Sequence, residues 1–411
     1  MRSACWLSID KVVVCLLAIL FSAATADAET RHVRKSGSDA GNFTCVLPTP
    51  CATVGHAVAI ADPGDTIQIG KGKFVEIGEV FINKDLTLNG TGIFRTQVVA
   101  SSWAPFRLFQ IGVNADVRMT SMQIREGEAD LGGGIRNNGA LELEDVWIRR
   151  NTASQGGGIY NDGALVLTRV EIALNTSEGL FNAPAGTAIV TSSRLAANET
   201  LGLRNALGVV IMRDTLVVAN GARLTRVGAS TGVESNGGTL EMVNVTVSGN
   251  YGTGLRMYNG ASGVLTHVTI ADNTFGLVAD EAAQITLWNT IIAANLGTAD
   301  CLTQGASVGG AGSLLGESTC LNGFPDPSNI FETDPKLGPL APNGASLWTH
   351  ALKPGSPAID AALPERCVTP DQRGVARPKD GNGDGVAQCD IGAYEFVAPG
   401  ERGRGGPDRG R

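Results

Sequence analysis

Two glutamates on one predicted strand, followed by an arginine, are the residues best suited to acid–base chemistry in this sequence. Glu142 and Glu144 alternate along the strand roughly 7 Å apart, a separation within the range that glycosidases use. Arg149 follows them, and a lyase needs such a cation to neutralise a uronate. The alternative is structural, because Arg118 and Thr120 occupy the equivalent positions one repeat earlier. We expect Glu142 to form an ion pair with Arg118 across the repeats.

A second set of candidates forms a row in which arginines and aromatic residues recur. Each member stands two positions after a repeated glycine, and strand alternation points its side chain outward. Arginine and aromatic side chains suit sugar rings and acidic glycans, so the row predicts a carbohydrate-binding surface, with a purely structural stack as the alternative. The predicted ligand contacts are Arg136, Tyr160, Phe181, Arg204 and Arg256.

A stretch rich in Gly and Asp near the C-terminus offers oxygen ligands for a cation. Asp380-Gly-Asn382-Gly-Asp384-Gly is similar to the start of an EF-hand-like Ca²⁺ loop. Ile391 stands where that loop carries a bidentate glutamate, although Asp390 is adjacent. The sequence therefore predicts Ca²⁺ as the only cofactor, bound by Asp380, Asn382, Asp384 and Asp390. A plain Gly–Asp turn is the alternative.

The elements that position these candidates belong to a repeat marked by asparagine. Successive asparagines are separated by 24, 23, 22, 30, 23 and 22 residues, and a period in this range is typical of a solenoid. An aliphatic residue precedes each asparagine by three positions, and another apolar residue precedes it by eight. The asparagines are Asn151, Asn175, Asn198, Asn220, Asn250, Asn273 and Asn295.

Alternation with period two inside each unit indicates strands, about three to a unit, separated by Gly, Asn and Asp turns. Such units fit the coils of an all-β, right-handed, single-stranded parallel β-helix, a pectate-lyase-like solenoid with coils roughly 4.8 Å apart. We expect the asparagines to form a hydrogen-bonded ladder along its axis. A short helix within residues 53–62, with Val54, Ala57, Val58 and Ala61 inward, covers the N-terminal end. The 30-residue unit predicts a protruding loop between Gly221 and Gly232.

The N-terminus has the pattern of an export signal. A basic start, an apolar run over residues 12–24 and Ala26-Asp27-Ala28 predict cleavage after Ala28, with a retained membrane anchor as the alternative. No later segment predicts a membrane span. The formal charge of −8 excludes an ordinary nucleic-acid-binding protein.

Export changes how the cysteines are interpreted. Six remain after cleavage, and an even number in an exported chain predicts disulfides. Fifteen pairings are possible, and proximity in sequence favours Cys45–Cys51, Cys301–Cys320 and Cys367–Cys389.

Both ends of the chain resemble exported bacterial β-helix proteins. The N-terminal resemblance rests on Cys51-Ala-Thr, Asp62-Pro-Gly-Asp-Thr-Ile and Gly72-Lys-Phe. The C-terminal segment resembles the choice-of-anchor Q domain, which follows right-handed β-helices in surface proteins. This resemblance implies a cell-surface or extracellular protein, and it implies no catalytic residue set. It rests on Leu337-Gly-Pro-Leu, Leu352-Lys-Pro-Gly-Ser-Pro-Ala-Ile-Asp, Asp371-Gln-Arg-Gly-Val-Ala-Arg-Pro and Cys389-Asp-Ile-Gly-Ala-Tyr-Glu.

The sequence thus predicts five segments. They are a signal peptide (1–28), an N-terminal cap (29–65), β-helix coils (66–296), a choice-of-anchor Q-like module (297–396) and a disordered Gly- and Arg-rich tail (397–411).

The function that we expect is a monomeric, exported, non-catalytic scaffold that binds a polysaccharide or a cell-surface glycan. The alternative is a polysaccharide lyase or glycoside hydrolase that uses Glu142, Glu144 and Arg149.

Overall fold

The structure is a computed structural model that describes residues 28–103, 105–221, 230–322 and 326–398. The predicted signal peptide up to residue 27, most of the predicted loop between Gly221 and Gly232, and the predicted tail beyond residue 398 lie outside these ranges. Within them, no helix is both long enough and apolar enough to cross a membrane.

The chain winds into a right-handed parallel β-helix, which confirms the predicted fold class. Each coil contributes three strands, called here the first, second and third legs. The first and second legs belong to one 22-stranded sheet, and the third legs form a separate ten-stranded sheet. Every strand in these two sheets pairs in parallel with its equivalent in the next coil, as Ile148 does with Ile172.

The strands of the first leg are Thr30–Val33, Thr66–Ile69, Leu86–Asn89, Ala164–Thr168, Thr187–Thr191, Val209–Arg213, Thr239–Val243, Ser262–Thr266, Gln284–Trp288 and Ser307–Ala311. Those of the second leg are Gly72–Glu76, Thr96–Ala100, Glu171–Ala173, Arg194–Ala196, Leu216–Val218, Thr246–Ser248, Thr269–Ala271, Ile291–Ile292, Leu314–Leu315 and Ile330–Phe331. Two long strands, Asp116–Arg125 and Ala140–Arg149, run through both legs. Those of the third leg are Val80–Ile82, Phe109–Ile111, Ile135–Asn137, Ile159–Asn161, Glu178–Asn182, Leu201–Ala206, Thr231–Asn236, Thr253–Tyr258, Phe275–Ala279 and Cys301–Leu302.

The aliphatic positions of the repeat form the core of the β-helix. Residues three before each ladder asparagine, such as Ile148 and Leu195, are buried, and so are those eight before it, such as Leu143 and Val190. Because strand side chains alternate between two faces, one face of every leg is apolar and points to the axis. The stacked coils therefore bury one continuous hydrophobic column.

Within the described ranges, eight coils bend between their first and second legs on a single non-glycine residue in the left-handed region. These first-corner residues have φ between 49° and 57°, although none of them is glycine: Ser121, Asp145, Arg169, Ser192, Asp214, Asn244, His267 and Asn289. A second such column, with φ between 52° and 60°, directly precedes the ladder asparagines and includes Arg150, Leu174, Ala197, Ala219, Asp272 and Ala294. Left-handed backbone is strained for these residue types and persists only where surrounding contacts hold it.

The predicted asparagine ladder supplies those contacts at the second corner. The Oδ1 atom of each asparagine accepts hydrogen bonds from the backbone N–H and the Nδ2 group of the asparagine one coil earlier, at 2.8–3.2 Å. Each Nδ2 group also donates to a backbone carbonyl of the preceding coil, as Asn175 does to Ile148. Asp300 takes the last place, where its Oδ1 accepts both hydrogen bonds from Asn295.

A second ladder, which the sequence analysis missed, runs inside the third leg. Asn137, Asn161 and Asn182 each donate from Nδ2 to the next asparagine at 2.7–2.9 Å, and Asn205 ends the series on Ser235. A recurring asparagine in the third-leg strands could have predicted this ladder. It stands in the segments Ile-Arg-Asn, Ile-Tyr-Asn, Leu-Phe-Asn and Leu-Arg-Asn.

The N-terminal end is covered by the predicted helix, which spans Val54–Ile60. Thr53 accepts a hydrogen bond from the backbone N–H of His56, and Val54, Ala57 and Val58 face the core. The segment predicted as a cap also contains a coil strand, because Thr30–Val33 pairs in parallel with Thr66–Ile69. At the other end the coils continue past residue 296 as far as Phe331.

Residues beyond Phe331 form a module that lies on the outer face of the second leg. Its hairpin, Leu337–Ala341 with Thr349–Leu352, is antiparallel. His350 contacts Ser248 at 2.9 Å, and the backbone N–H of Ala393 donates to Thr269 at 3.0 Å. Buried hydroxyl groups on the second leg thus bind the module, whereas its described residues form no hydrogen bond or ion pair with the third-leg strands.

Five charged residues from the motifs that begin at Asp371 and Cys389 meet inside this module. Arg377 bonds Glu395 at 3.1 Å, and Arg373 binds Asp371 with two nitrogens. Asp390 is buried beside them and accepts a backbone hydrogen bond from Asp360. Each guanidinium group thus has one carboxylate partner among the described residues, and Asp390 is a third carboxyl group without an arginine contact of its own. Burial raises the pKa of Glu395. The pKa of Asp390 is raised to about 8, mainly by burial and secondly by repulsion from the charge of Glu395.

The three predicted disulfides are all formed. Cys45–Cys51 ties the N-terminal segment, Cys301–Cys320 ties the last coils, and Cys367–Cys389 closes the C-terminal module.

Asn198→Ala is expected to lower the free energy of unfolding by roughly 3 kcal/mol, because the buried backbone N–H and Nδ2 group of Asn175 lose their acceptor, while Asn220 and Ile172 each lose one donor. Urea unfolding followed by circular dichroism measures the change. Glu199→Ala is the matched control, since that neighbouring side chain is exposed. Equal stability of the two variants would contradict the ladder's contribution.

The raised pKa of Asp390 predicts that the protein loses stability as pH rises. The folded state retains a proton between the ordinary value of 3.8 and about 8, whereas the unfolded state releases it. The free energy of unfolding should therefore fall with pH across this window. Thermal melts from pH 5.5 to 9 test this, and Asp390→Asn should give a flatter profile. An unchanged slope in the variant would exclude Asp390 as the source.

Candidate functional site

The candidate carbohydrate-binding residues form one straight row on the outer face of the third leg, called here the outer row. Strand register pairs Arg136 with Tyr160, Tyr160 with Phe181 and Phe181 with Arg204. The row continues through Glu234 to Arg256. The glycine-based alignment in the sequence therefore predicted a real spatial neighbourhood, with one residue for each coil.

The aromatic members of the outer row stack on one another. The rings of Tyr160 and Phe181 lie 5.1 Å apart with an angle of 6° between their planes. Arg136 lies over Tyr160 and Arg204 over Phe181, each at 5.9 Å from the ring centroid. Phe181 is only 6% exposed. Since neighbours along the axis occupy the ring faces, a sugar approaching the row would meet ring edges and not the faces that stacking on a sugar requires.

Arg204 is held between two carboxylates, neither of which is among the predicted ligand contacts. Its guanidinium lies 3.7 Å from Glu178 and 3.2 Å from Glu234. The hydroxyl group of Tyr258 donates to Glu234 at 3.1 Å. The pKa of Tyr258 is raised, mainly by burial and secondly by the negative charge of Glu234. The phenol therefore keeps its proton and donates the hydrogen bond. These residues form one partly buried polar network at the centre of the row.

Arg256 continues this network toward the C-terminal end. It lies 4.7 Å above the ring of Tyr258 and 3.6 Å from Asp280. Among the described residues, the Nε atoms of Arg136, Arg204 and Arg256 and the Oδ1 atom of Asp280 are buried without a hydrogen-bond partner, so the other nitrogens of these guanidinium groups are the ones that a ligand could reach. In its C-terminal half the outer row therefore combines guanidinium donors with carboxylate acceptors, from Arg204 through Glu234 to Arg256. Such a surface can bind hydroxyl groups, which donate and accept at once.

The candidate catalytic glutamates take part in an ion-pair network. Glu142 contacts Arg118 at 3.3 Å, as expected from the register, and Glu144 contacts both Arg118 and Arg169. Arg169 also binds Asp145 through two nitrogens at 2.9 Å. These contacts raise the pKa of the guanidinium of Arg169. Both carboxylates are thus engaged by cations across the coils.

The structure does not bring Arg149 together with these glutamates. Asp145 bends the strand at the first corner with φ of 52°, so Glu142 and Glu144 lie on the first leg and Arg149 on the second. Arg149 lies 5.6 Å from the ring centroid of Trp147 and pairs in register with Arg125. The three residues therefore form no common acid–base and cation site.

The predicted calcium ligands are also divided. Asp380 accepts hydrogen bonds from the backbone N–H groups of Gly383 and Gly385, as in an ordinary turn. Asn382 and Asp384 likewise accept from backbone N–H groups two residues on. Asp390, the predicted fourth ligand, is buried in the C-terminal ion network and accepts a hydrogen bond from the backbone N–H of Asp360. Calcium binding by the loop of Asp380, Asn382 and Asp384 stays a prediction.

Among the described residues, one group of side chains has potential metal-ligand atoms within 4.8 Å of one another, namely Cys45, Cys51 and His56. Its two cysteines are joined in a disulfide, so their sulfur atoms are not thiolate ligands.

The fold is shared with a pectate lyase of known structure. The pectate lyase Pel9A superimposes with a TM-score of 0.60 and 13% identity over 90% of this chain and 96% of its own. A rhamnogalacturonan lyase matches with a TM-score of 0.42 and 10% identity over 73% of this chain and 90% of its own. The A-module of the Azotobacter vinelandii mannuronan C-5 epimerase AlgE6 matches with a TM-score of 0.43 and 15% identity, over 68% of this chain and 94% of its own. At these identities the likeness to Pel9A shows the fold alone.

No family model matches the sequence, and no curated protein matches it significantly.

Phe181→Ala is expected to lower the free energy of unfolding by about 3 kcal/mol, because it removes a nearly buried ring from the centre of the stack. Phe81→Ala is the matched control, since Phe81 lies on the same face in register with Gln110 and is 48% exposed. Its substitution should cost less than about 1 kcal/mol. Equal decreases in the free energy of unfolding, measured with urea, would mean that the aromatic stack does not contribute to stability.

Proposed function

We propose that this chain is an exported, non-catalytic β-helix that binds an extracellular polysaccharide along the outer row. The proposal rests on the single outward residue that each coil contributes, which places three arginines, two stacked aromatic rings and one glutamate in a row from Arg136 to Arg256. Arg136, Arg204 and Arg256 follow one another at roughly 14 Å and 10 Å, because coils stack about 4.8 Å apart. A straight row of this length suits an extended polymer better than a compact ligand.

The partner class has support from the fold. Pel9A, which shares the β-helix, is a pectate lyase, and a polysaccharide is therefore a fitting partner for this chain too. The polar character of the row agrees with this partner, since Arg204 and Glu234 together present donors and acceptors to hydroxyl groups.

The absence of catalysis is proposed from the state of the carboxylates. A hydrolase needs one carboxyl group to deliver a proton and a second to attack or to hold water. Glu142, Glu144 and Glu234 each already contact a guanidinium, and Arg149 lies on another leg. No pair of these groups is free for the two tasks.

Export and a cell-surface location are proposed on two further grounds. Three disulfides suit an oxidising compartment. The residues of the motifs around Asp371 and Cys389 meet in one buried network, which supports their assignment to a single choice-of-anchor Q-like module. We propose that this module secures the β-helix on a surface while the outer row stays accessible.

A polysaccharide array followed by calorimetry tests the binding proposal. The chain without its signal peptide should bind one or more extracellular polysaccharides. The double variant Arg136→Ala/Arg256→Ala should weaken this binding at least tenfold, because it removes two donors from the row. Arg150→Ala is the control, since it removes an exposed arginine outside the row. Equal binding by both variants would contradict the proposal.

The same polysaccharides test whether the protein is catalytic. We expect no release of unsaturated or reducing sugars from any of them. Release that disappears in Glu142→Gln or Arg149→Ala would overturn the non-catalytic assignment and favour a lyase or hydrolase.

A further inference from the structure

Three cations surround a pocket at the N-terminal end of the first corner, far along the coil series from the C-terminal module. The pocket has a volume of about 330 Å³. It is called here the basic corner pocket and is lined by Arg34, Gln68, Gly70, Lys71, Thr91 and Arg95.

The β-helix itself brings these residues together. Arg34 follows the first-leg strand Thr30–Val33, and Lys71 follows the strand Thr66–Ile69 that pairs with it. Arg95 precedes the second-leg strand Thr96–Ala100, and its carbonyl accepts a hydrogen bond from Gly72 at 2.7 Å. Three successive coils therefore place a cation at the same corner.

The walls of the pocket are held by hydrogen bonds between the coils. Thr96 donates to the carbonyl of Gly70 at 2.9 Å and contacts the hydroxyl group of Thr91 at 2.9 Å. Gln68 donates to the carbonyl of Asn89 at 3.1 Å. The backbone around the cations is thus fixed, and only the long basic side chains remain free to adjust.

The charge of this corner is not balanced within the protein. Among the described residues, the side-chain nitrogens of Arg34, Lys71 and Arg95 take part in no ion pair or hydrogen bond. Elsewhere the same edge of the β-helix pairs its cations, as in the network of Arg118 and Arg169 with Glu142 and Glu144. Three unpaired cations around one pocket are unexpected in a chain with a formal charge of −8.

We propose that the basic corner pocket binds an oxyanion, either a free inorganic anion or the acidic group of a small sugar. Like charges gathered in a concave site raise the local concentration of anions. Arg34 and Arg95 can each present a guanidinium fork to a carboxylate, sulfate or phosphate group, and Lys71 adds a point charge. The volume is enough for a single sugar unit. This site is separate from the outer row and does not depend on its function.

Calorimetric titration of the chain without its signal peptide tests the proposal, with sodium sulfate, sodium phosphate, glucuronate and glucose as ligands. At least one oxyanion should bind saturably, and added NaCl should weaken the binding. Glucose should not bind at this site. Saturation by sulfate or phosphate alone identifies an inorganic anion, and saturation by glucuronate identifies an acidic sugar. Either result supports the proposal.

The double variant Arg34→Ala/Arg95→Ala should weaken oxyanion binding at least tenfold. Arg34→Lys, which keeps the positive charge, should weaken oxyanion binding less. Both substituted arginines are exposed and unpaired, so circular dichroism should show an unchanged fold. Arg150→Ala is the matched control, an exposed arginine at a corner position where other coils carry alanine. Arg136→Ala/Arg256→Ala should leave oxyanion binding intact. Equal affinity of the Arg34→Ala/Arg95→Ala variant and the control, or no saturable oxyanion, would overturn the proposal.

Discussion

The asparagine ladder is the interaction on which the rest of the structure depends. Each amide must find its donor and acceptor partners in the coils before and after it, because it is buried beside the core. This requirement keeps the corner at the same place in every coil, even where one unit has 30 residues. Once the corners coincide, the aliphatic side chains stack inside, and the left-handed residues that precede the asparagines are held in place.

A regular β-helix presents three long faces, and the C-terminal module decides which of them is accessible. By packing on the second leg through Ser248 and Thr269, it covers hydroxyl groups that would otherwise face solvent. The outer row on the third leg stays free of it, and the basic corner pocket lies beyond its reach at the N-terminal end. The two candidate binding surfaces are therefore separated along the axis and around it, which allows different ligand chemistries at each.

The candidate site illustrates how far register can be used without a structure. The row from Arg136 to Arg256 and the pair of Glu142 with Arg118 followed from counting between repeated residues, since equivalent positions in a parallel β-helix must be neighbours. Ring orientation did not follow, because the stacking of Tyr160 on Phe181 is set by the spacing of adjacent strands and by packing. The contact of Glu178 with Arg204 was missed because Glu178 lies outside the aligned column.

The sequence by itself determined the coil, the inward columns, the asparagine ladder, the capping helix and the disulfides, because each is encoded in a local period or a short separation. Tertiary structure alone decided the remaining features. The burial of Asp390 beside Arg377 and Glu395 depends on where the C-terminal module folds back. The bend at Asp145 separates Arg149 from Glu142 and Glu144. The basic corner pocket forms where coils of unequal length stack on one another, and the repeat pattern does not predict that arrangement. Local periods specify which residues stack, whereas contacts between distant segments specify which side chains are left without partners.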